Sequence, residues 1–370
     1  MKKETYFKQL DGIRFLAIFL VLVDHWFAEK IFVPLGILGV TMFFVLSGFL
    51  ITRILILAKV KDGETKRNHW FSIKQFMIRR SIRIFPIYFL SIFVLYILDV
   101  PPVRDTIIWC LTYSTNIYIA LNETWLGTID HLWSLAVEEQ YYLLFPYLIL
   151  FLPSKNHKAV LYLMILSSVL LRIYLYMNGN DWMVQYVLMP TCLDCFGLGG
   201  LLAYWHTNEK EGFFDKLKNP KWIISSATFL ILFMIVIRWI QVEYNSTHHF
   251  GNLVVERFVY SLFCFFLIAG AVSGYKGILK VILENKFVIY LGKISYGLYL
   301  YHNFVFNFYH TKSDSPVLKV LSKIQNYFTS ITSSIFFEAS YYFIITFILA
   351  TASWYLIEKP ANKLKKYFSY

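Results

Sequence analysis

The chain has 370 residues, a formal net charge of +12 and 58% hydrophobic residues, and 19% of all residues are aromatic. Its mean hydropathy of +0.54 excludes an ordinary soluble domain and is typical of a membrane protein with several spans and aromatic interfacial belts. The basic residues lie in short stretches between apolar runs, as membrane topology alone requires, so the positive charge does not indicate a nucleic-acid partner.

Ten apolar runs approach the roughly 20 residues that a bilayer requires. The stretch 106–121 is shorter and carries polar residues, which predicts a re-entrant or interfacial segment. No hydrophilic stretch is long enough for a second domain, so we predict one all-α integral membrane domain over residues 1–370. The ten predicted spans are 12–28, 35–58, 82–98, 134–152, 159–177, 191–206, 222–240, 253–274, 287–307 and 334–357.

The distribution of positive charge predicts the orientation of these spans. With the N-terminus inside, the inside segments hold 23 Lys and Arg residues and the outside segments hold 5. Because cytoplasmic loops are enriched in Lys and Arg, we expect a multi-pass protein of the cytoplasmic membrane with both termini in the cytoplasm. The five outside residues are Lys30, Arg104, Lys312, Lys319 and Lys323.

The first apolar run contains Arg14, Asp24 and His25. Ionisable groups within a membrane are costly and indicate a functional site by default. Arg14 and His25 are eleven residues apart, about 20° past three full helical turns, and so share one face at about 16 Å separation. Asp24 points about 100° away from His25. The alternative is that Arg14 reaches the membrane edge and His25 only forms a structural hydrogen bond.

The loop 59–81 is the most basic segment, and it leads into the third span with Arg80 and Arg83. Residues three apart lie on one helical face, and two guanidinium groups side by side suit a diphosphate or a 3′-phosphate. Anchoring to lipid phosphate at the membrane surface is the alternative.

Glu138 and Glu139 enter the fourth span about one turn after Ser134. Ser134 and Glu138 share a helical face, and a carboxylate there could orient a histidine, as the aspartate of a catalytic triad does. Alternatively, Ser134 is an interfacial N-cap, with both carboxylates favoured by the helix N-terminus.

Two other spans carry weaker candidates. The sixth span contains Asp194 followed by Gly197, Gly199 and Gly200, which we predict to be a flexible run. The ninth span contains His302, for which interfacial hydrogen bonding and a second role in the site are both open. The four cysteines lie in apolar surroundings and are expected to be structural.

Several short motifs occur in a fixed order along the chain: Leu10-Asp11-Gly12-Ile13-Arg14 with His25, Phe43 to Thr52, Arg80-Ser-Ile-Arg83 with Pro86, His131 to Tyr142, Ser295 to His302, and Glu358-Lys-Pro360. With these motifs the chain resembles the membrane-bound acyltransferase family three, the polytopic O-acyltransferases of bacterial surface glycans. Members often have an acidic residue where Thr41 stands and an arginine where Cys192 stands. Some carry a C-terminal hydrolase-like domain, which this chain, stopping at Tyr370, is expected to lack.

The resemblance implies an acyl-CoA donor, most often acetyl-CoA, in the cytoplasm, a glycan or glycolipid hydroxyl as acceptor, and no metal. Our hypothesis places the CoA phosphates at Arg14, Arg80 and Arg83. The thioester then lies near His25, because the 16 Å between Arg14 and His25 is of the order of an extended pantetheine arm.

In this hypothesis His25 acts as general base or carries the acyl group. Glu138 or Glu139 holds its imidazole. The remaining candidates for acceptor binding or support are Ser134, Asp194 and His302.

Two other functions would use the same residues. In a transporter or flippase of lipid-linked sugars, the buried charges would line a pathway. A sensor or scaffold would bind acyl-CoA without chemistry. Stoichiometric consumption of acyl-CoA separates both from an acyltransferase.

Overall fold

The computed structural model describes residues 6–27, 34–208, 213–217, 219–246, 248–310 and 335–368. Four of the residues predicted to lie outside the membrane, namely Lys30, Lys312, Lys319 and Lys323, fall outside this part of the chain, as do residues 28 and 334 at the ends of two predicted spans. Helices make up most of the described residues, and no strand occurs among them. The prediction of an all-α protein is thus confirmed.

Where the structure describes the connections between helices, most of them are short. A π-helical turn lies at Gly251–Val255 and another at Trp354–Glu358. The helices are α1 (Lys8–Phe27), α2 (Leu35–Glu64), α3 (His69–Ile97), α4 (Ile107–Leu111), α5 (Thr115–Asn122), α6 (Leu132–Phe151), α7 (His157–Met177), α8 (Trp182–Val187), α9 (Leu193–Thr207), α10 (Phe213–Leu217), α11 (Pro220–Glu243), α12 (Glu256–Ser273), α13 (Gly277–Leu283), α14 (Lys286–Lys293), α15 (Ser295–His310), α16 (Ile335–Ser353) and α17 (Lys359–Lys363).

Several helices have the length and apolar composition of membrane spans, which confirms the membrane character of the protein. Six of the ten predicted spans coincide with such helices. The other four coincide with α1, α6, α9 and the pair α14–α15. The helices α1 and α6 have 20 residues each but carry charged side chains, whereas α9 and α15 have only 15 and 16 residues. Among the described residues, the six stretches that could cross a membrane are Leu35–Glu64, His69–Ile97, Ser154–Met177, Pro220–Glu243, Gly251–Ser273 and Phe337–Tyr367.

The stretch 106–121 forms the two short helices α4 and α5, of 5 and 8 residues. Neither is long enough to cross a bilayer, in agreement with the prediction of a segment that is not a full span. The α5 helix packs against α6, where Asn116 Nδ2 donates to Gln140 Oε1 at 3.2 Å.

The core forms around α2, whose most apolar window is 67% buried, compared with 11% for the peripheral α11. The α2 helix packs most extensively against α9. A Cβ atom at Gly199 would overlap the Val45 carbonyl oxygen, and one at Gly48 would overlap that of Phe196. The predicted flexible run at 197–200 is therefore wrong: these glycines lie in a helix and allow two backbones to approach closely.

Candidate active site

A cavity opens between α1, α2, α3, α6 and α15, with about 860 Å³ of empty space that is partly continuous with solvent. Six of the nine predicted site residues line it, although they come from three different helices. Its polar lining residues are Arg14, Ser47, Arg80, Arg83, Ser134, Glu138, Glu139, Tyr142, Ser295, Tyr296 and Tyr299.

Arg14 is held in this cavity by its own helix. Its guanidinium donates to Asp11 Oδ1, one helical turn earlier, and the Tyr6 hydroxyl donates to Asp11 Oδ2. Asp11 is 2% exposed, whereas the Arg14 side chain is 20% exposed. The carboxylate therefore orients the guanidinium without removing it from the cavity.

Arg80 and Arg83 enter the same cavity from α3. The Arg80 guanidinium lies 5.0 Å from the centroid of the Tyr142 ring. The face of an aromatic ring attracts a cation at this distance. Neither arginine forms an ion pair with a carboxylate in the described parts of the chain. Guanidinium groups bind phosphate oxygens well, so together with Arg14 these two arginines can receive an anionic ligand.

Glu138 belongs to a closed hydrogen-bonded group on the cavity wall. Ser47 Oγ donates to Glu138 Oε1 at 2.7 Å, and the Tyr142 hydroxyl donates to Glu138 Oε2 at 3.0 Å. One carboxylate oxygen thus accepts a hydrogen bond from α2, and the other accepts one from the next turn of α6. The predicted contact between Glu138 or Glu139 and the His25 imidazole is therefore absent among the described hydrogen bonds, although both glutamates line the cavity.

His25 pairs instead with His302. His25 Nδ1 lies 2.8 Å from His302 Nε2, and the two ring centroids are 4.9 Å apart. His302 is fully buried, and its contact with His25 favours the interpretation of His302 as a second residue of the candidate site. The physical reason is that α15 packs directly against α1, which brings two side chains 277 residues apart into contact.

The wall between the arginine cavity and the histidines consists of Ser134 and Tyr299. Their hydroxyl oxygens are 2.5 Å apart, and each lies 3.1 Å from the His131 carbonyl oxygen. Because a hydroxyl has one hydrogen, one of the two donates to that carbonyl oxygen and the other donates to its hydroxyl neighbour. The α6 helix begins at Leu132, with His131 as its N-cap, so the N-cap interpretation of Ser134 is wrong. Ser134 instead joins the cavity to the histidine group.

The turn before α6 packs against α15 next to this wall. Asn303 Nδ2 donates to the carbonyl oxygens of Gly127 and Thr128, each at 3.0 Å. Burial raises the pKa of the Asp130 carboxyl to about 7, against the lowering effect of the backbone N–H groups of Leu126 and Gly127. This turn fixes α6 relative to the helix that carries His302.

Asp194 lies apart from the cavity lining. Its Oδ2 accepts from Arg172 Nη2 at 2.6 Å in an ion pair whose side chains are 0% and 1% exposed. Arg172 also donates to the Thr191 carbonyl oxygen at 2.6 Å. Asp194 therefore joins α9 to α7.

Sequence reasoning missed Ser47, His131, Tyr142 and Tyr299 as members of the site. A signal existed for Tyr142, which is four residues after Glu138 and so shares its helical face. The other three act through contacts between helices, which helical periodicity does not reveal. Among the described residues, no group of three His, Cys, Asp or Glu side chains could hold a metal ion.

Comparison with known proteins fits this arrangement. A family model described as an acyltransferase domain matches residues 7–359. The chain belongs to acyltransferase family three. The resemblance seen in the sequence is thus confirmed over almost the whole chain, and the cavity and the histidine group both lie within the matched region of this family member.

Two relatives come from Staphylococcus aureus. A presumed O-acetyltransferase of strain COL is 30% identical over 367 residues, which cover 93% of this chain and 58% of the relative. The O-acetyltransferase OatA of strain NCTC 8325 / PS 47 is 30% identical over 371 residues, covering 94% of this chain and 58% of OatA. The chain thus spans less than two thirds of the length of these relatives. No solved structure matches it.

Two arginines from neighbouring helices reach the start of α9. Arg257 Nη1 on α12 lies 3.0 Å from Cys192 Sγ, and Arg172 on α7 binds Asp194.

Proposed function

We propose that this family member transfers an acyl group, with acetyl as the first candidate, from acyl-CoA to a hydroxyl of a cell-surface glycan or glycolipid. The observation that carries the proposal is the convergence of Arg14, Arg80 and Arg83 in one cavity whose wall, Ser134 and Tyr299, contacts the histidine group. Separate helices thus assemble an anion site beside a candidate base.

The proposed topology has ten spans and one short segment in the cytoplasmic membrane, with both termini in the cytoplasm. The arginine end of the cavity would then face the cytoplasm, where acyl-CoA is made available. On α6 the cavity lining extends from Tyr142 to Ser134, which is about 12 Å along a helix. A pantetheine arm lying along it would bring the thioester toward Ser134.

In this proposal Arg14, Arg80 and Arg83 bind the CoA phosphates by charge-assisted hydrogen bonds. His25 removes the hydroxyl proton of the acceptor or attacks the thioester itself. Glu138 and Glu139 line the path between these two places. Their proposed role is to hold polar groups of the substrates, with Ser134 and His302 as support.

The printed names of the two relatives support O-acetyl transfer as the reaction class. Because the match covers only 58% of each relative, the activity of those whole proteins is only proposed for this chain. A glycan acceptor rests on the family resemblance.

The test is release of free thiol from acetyl-CoA by the detergent-solubilised protein, with and without crude surface glycan. Wild type should release thiol over many turnovers only with glycan, and His25→Ala should abolish release while leaving CoA binding within about threefold. His248→Ala, which changes an exposed histidine, serves as the matched control and should behave as wild type. Full activity of purified His25→Ala would refute the proposed role of His25.

A transporter or flippase of lipid-linked sugars remains the alternative outcome of the same assay. It would give no thiol release with any glycan and no binding of CoA at the arginine cavity. Membership in an acyltransferase family favours the transfer reaction over transport.

A further inference from the structure

Three histidines, on α1, on α15 and at the N-cap of α6, meet beside the wall formed by Ser134 and Tyr299. His25 and His302 share a hydrogen bond of 2.8 Å, and the ring centroids of His131 and His302 are 5.0 Å apart. The chemistry open to these rings depends on which nitrogen of each ring carries a hydrogen. Neighbouring backbone carbonyls determine this.

The carbonyl group of Tyr299 fixes the protonation of His302. Its oxygen lies 2.5 Å from His302 Nδ1. A carbonyl oxygen only accepts hydrogen bonds, so Nδ1 must carry the hydrogen. In a neutral imidazole the other nitrogen is then an acceptor, and His302 Nε2 offers its lone pair to His25.

The same reasoning extends to the next ring. Because His302 Nε2 accepts, His25 Nδ1 must be the donor of the 2.8 Å hydrogen bond. The Nε2 atom of a neutral His25 then carries the lone pair and takes no part in this hydrogen bond. Whether His25 acts as a base or as a nucleophile, Nε2 is the atom that reacts.

The surroundings hold this arrangement. His302 is fully buried, and its carbonyl oxygen accepts from Trp26 Nε1 at 3.4 Å. His131 packs edge-on against the His302 ring, and its Nε2 donates to the Leu300 carbonyl oxygen at 3.0 Å. The Nε2 hydrogen of His131 is therefore engaged and does not compete with His25 for His302.

We propose that His302 is a positioning residue that keeps His25 in the Nδ1–H tautomer, so that Nε2 is free to act in acyl transfer. This inference rests on the proposed function. In the transfer step the acceptor oxygen bonds to the acyl carbon as the thioester C–S bond breaks. The hydroxyl proton passes to His25 Nε2 and then to the departing CoA thiolate. A neutral imidazole thus fills the orienting role that a carboxylate fills in a serine-protease triad.

The test compares His302→Leu with His302→Gln. Leucine removes the acceptor, whereas the glutamine side-chain oxygen can reach the position of Nε2 and accept from His25 Nδ1–H. We expect His302→Leu to lower kcat about 100-fold, in the range for general-base catalysis, with the KM for acetyl-CoA within about threefold of wild type. The kcat of His302→Gln should be at least tenfold higher than that of His302→Leu.

A second readout does not depend on activity. NMR of the protein labelled with ¹⁵N-histidine should report the Nδ1–H tautomer of His25 in wild type and in His302→Gln, and a mixture of tautomers in His302→Leu. Wild-type kcat in His302→Leu would overturn the inference, and so would equal losses of kcat and thermal stability in both variants. Absence of glycan-dependent thiol release by the wild type would instead refute the proposed function, while the tautomer assignment could still be read from the spectra.

Discussion

Asp11 is a buried carboxylate that serves one arginine of the cavity. It accepts hydrogen bonds from Arg14 and Tyr6, while the backbone around it packs so closely on α14 that a Cβ atom at Gly292 would overlap its carbonyl oxygen. The Arg14 guanidinium is therefore fixed relative to α14 before any ligand binds. Such preorganisation lowers the entropy cost of binding an anion.

Replacing Asp11 by alanine should weaken acyl-CoA binding, because Arg14 loses the partner that orients it. We expect the KM for acetyl-CoA to rise about tenfold, which corresponds to about 1.4 kcal/mol, with kcat changed less than threefold. Steady-state kinetics of thiol release provide the measurement. Tyr6→Phe removes only one hydroxyl donor to the same carboxylate and leaves the Asp11–Arg14 pair, so it should give a smaller rise. A lower KM in Asp11→Ala would mean that Asp11 competes with the phosphates for Arg14.

The sequence predicted most members of the site but not their pairing. Ionisable residues within apolar runs identified His25, Arg14 and Glu138, because such residues are costly in a membrane. Periodicity orders residues only on their own helix. It could not tell that α1 presents His25 to α15 rather than to the carboxylates of α6, since that depends on how separate helices pack.

The ion pair between Arg172 and Asp194 is a link between helices, beside the close packing of α9 on α2. Both side chains are almost completely excluded from solvent, and Ser168 Oγ also donates to Asp194 at 3.3 Å. A buried pair contributes little net stability by itself, but the loss of one partner leaves an uncompensated charge.

Asp194→Ala should therefore destabilise the protein by about 3–5 kcal/mol, because Arg172 would remain buried and charged. Thermal unfolding in detergent should show a Tm lower by several degrees, with Asp194→Asn intermediate because it keeps a hydrogen-bond acceptor. The double variant Arg172→Met/Asp194→Leu should recover part of the stability. If Asp194→Ala instead kept its Tm and raised the KM for the glycan, Asp194 would be an acceptor-binding residue.

At the level of helices, apolar runs of about 20 residues located the elements well. The predicted span 159–177, for example, corresponds to α7 at His157–Met177. The run at 197–200 was misjudged because glycine is rare in isolated helices but common where two membrane helices touch. Whether a glycine lies at such a contact depends on the partner helix. The sequences of α2 and α9 do not by themselves show that these two helices pack together.

The orientation of the whole molecule can be tested with introduced cysteines. All four native cysteines are buried, so a membrane-impermeant maleimide should leave the wild type unlabelled in intact cells. Thr124→Cys and Lys66→Cys change exposed residues in segments predicted to lie outside and inside. We expect Thr124→Cys to label in intact cells and Lys66→Cys only after permeabilisation. The reverse pattern would invert the topology that places the arginines toward the cytoplasm.

The position of α1 has a consequence for biosynthesis. The first helix to leave the ribosome packs against α14 and α15, which are translated about 270 residues later. At roughly 5–20 residues per second, α1 waits roughly 15 to 55 s for these partners. During that time His25 lacks its partner His302 on α15, and charged residues of the same helix such as Asp24 oppose insertion into lipid. Stable insertion of the first helix is therefore expected to depend on synthesis of the last ones.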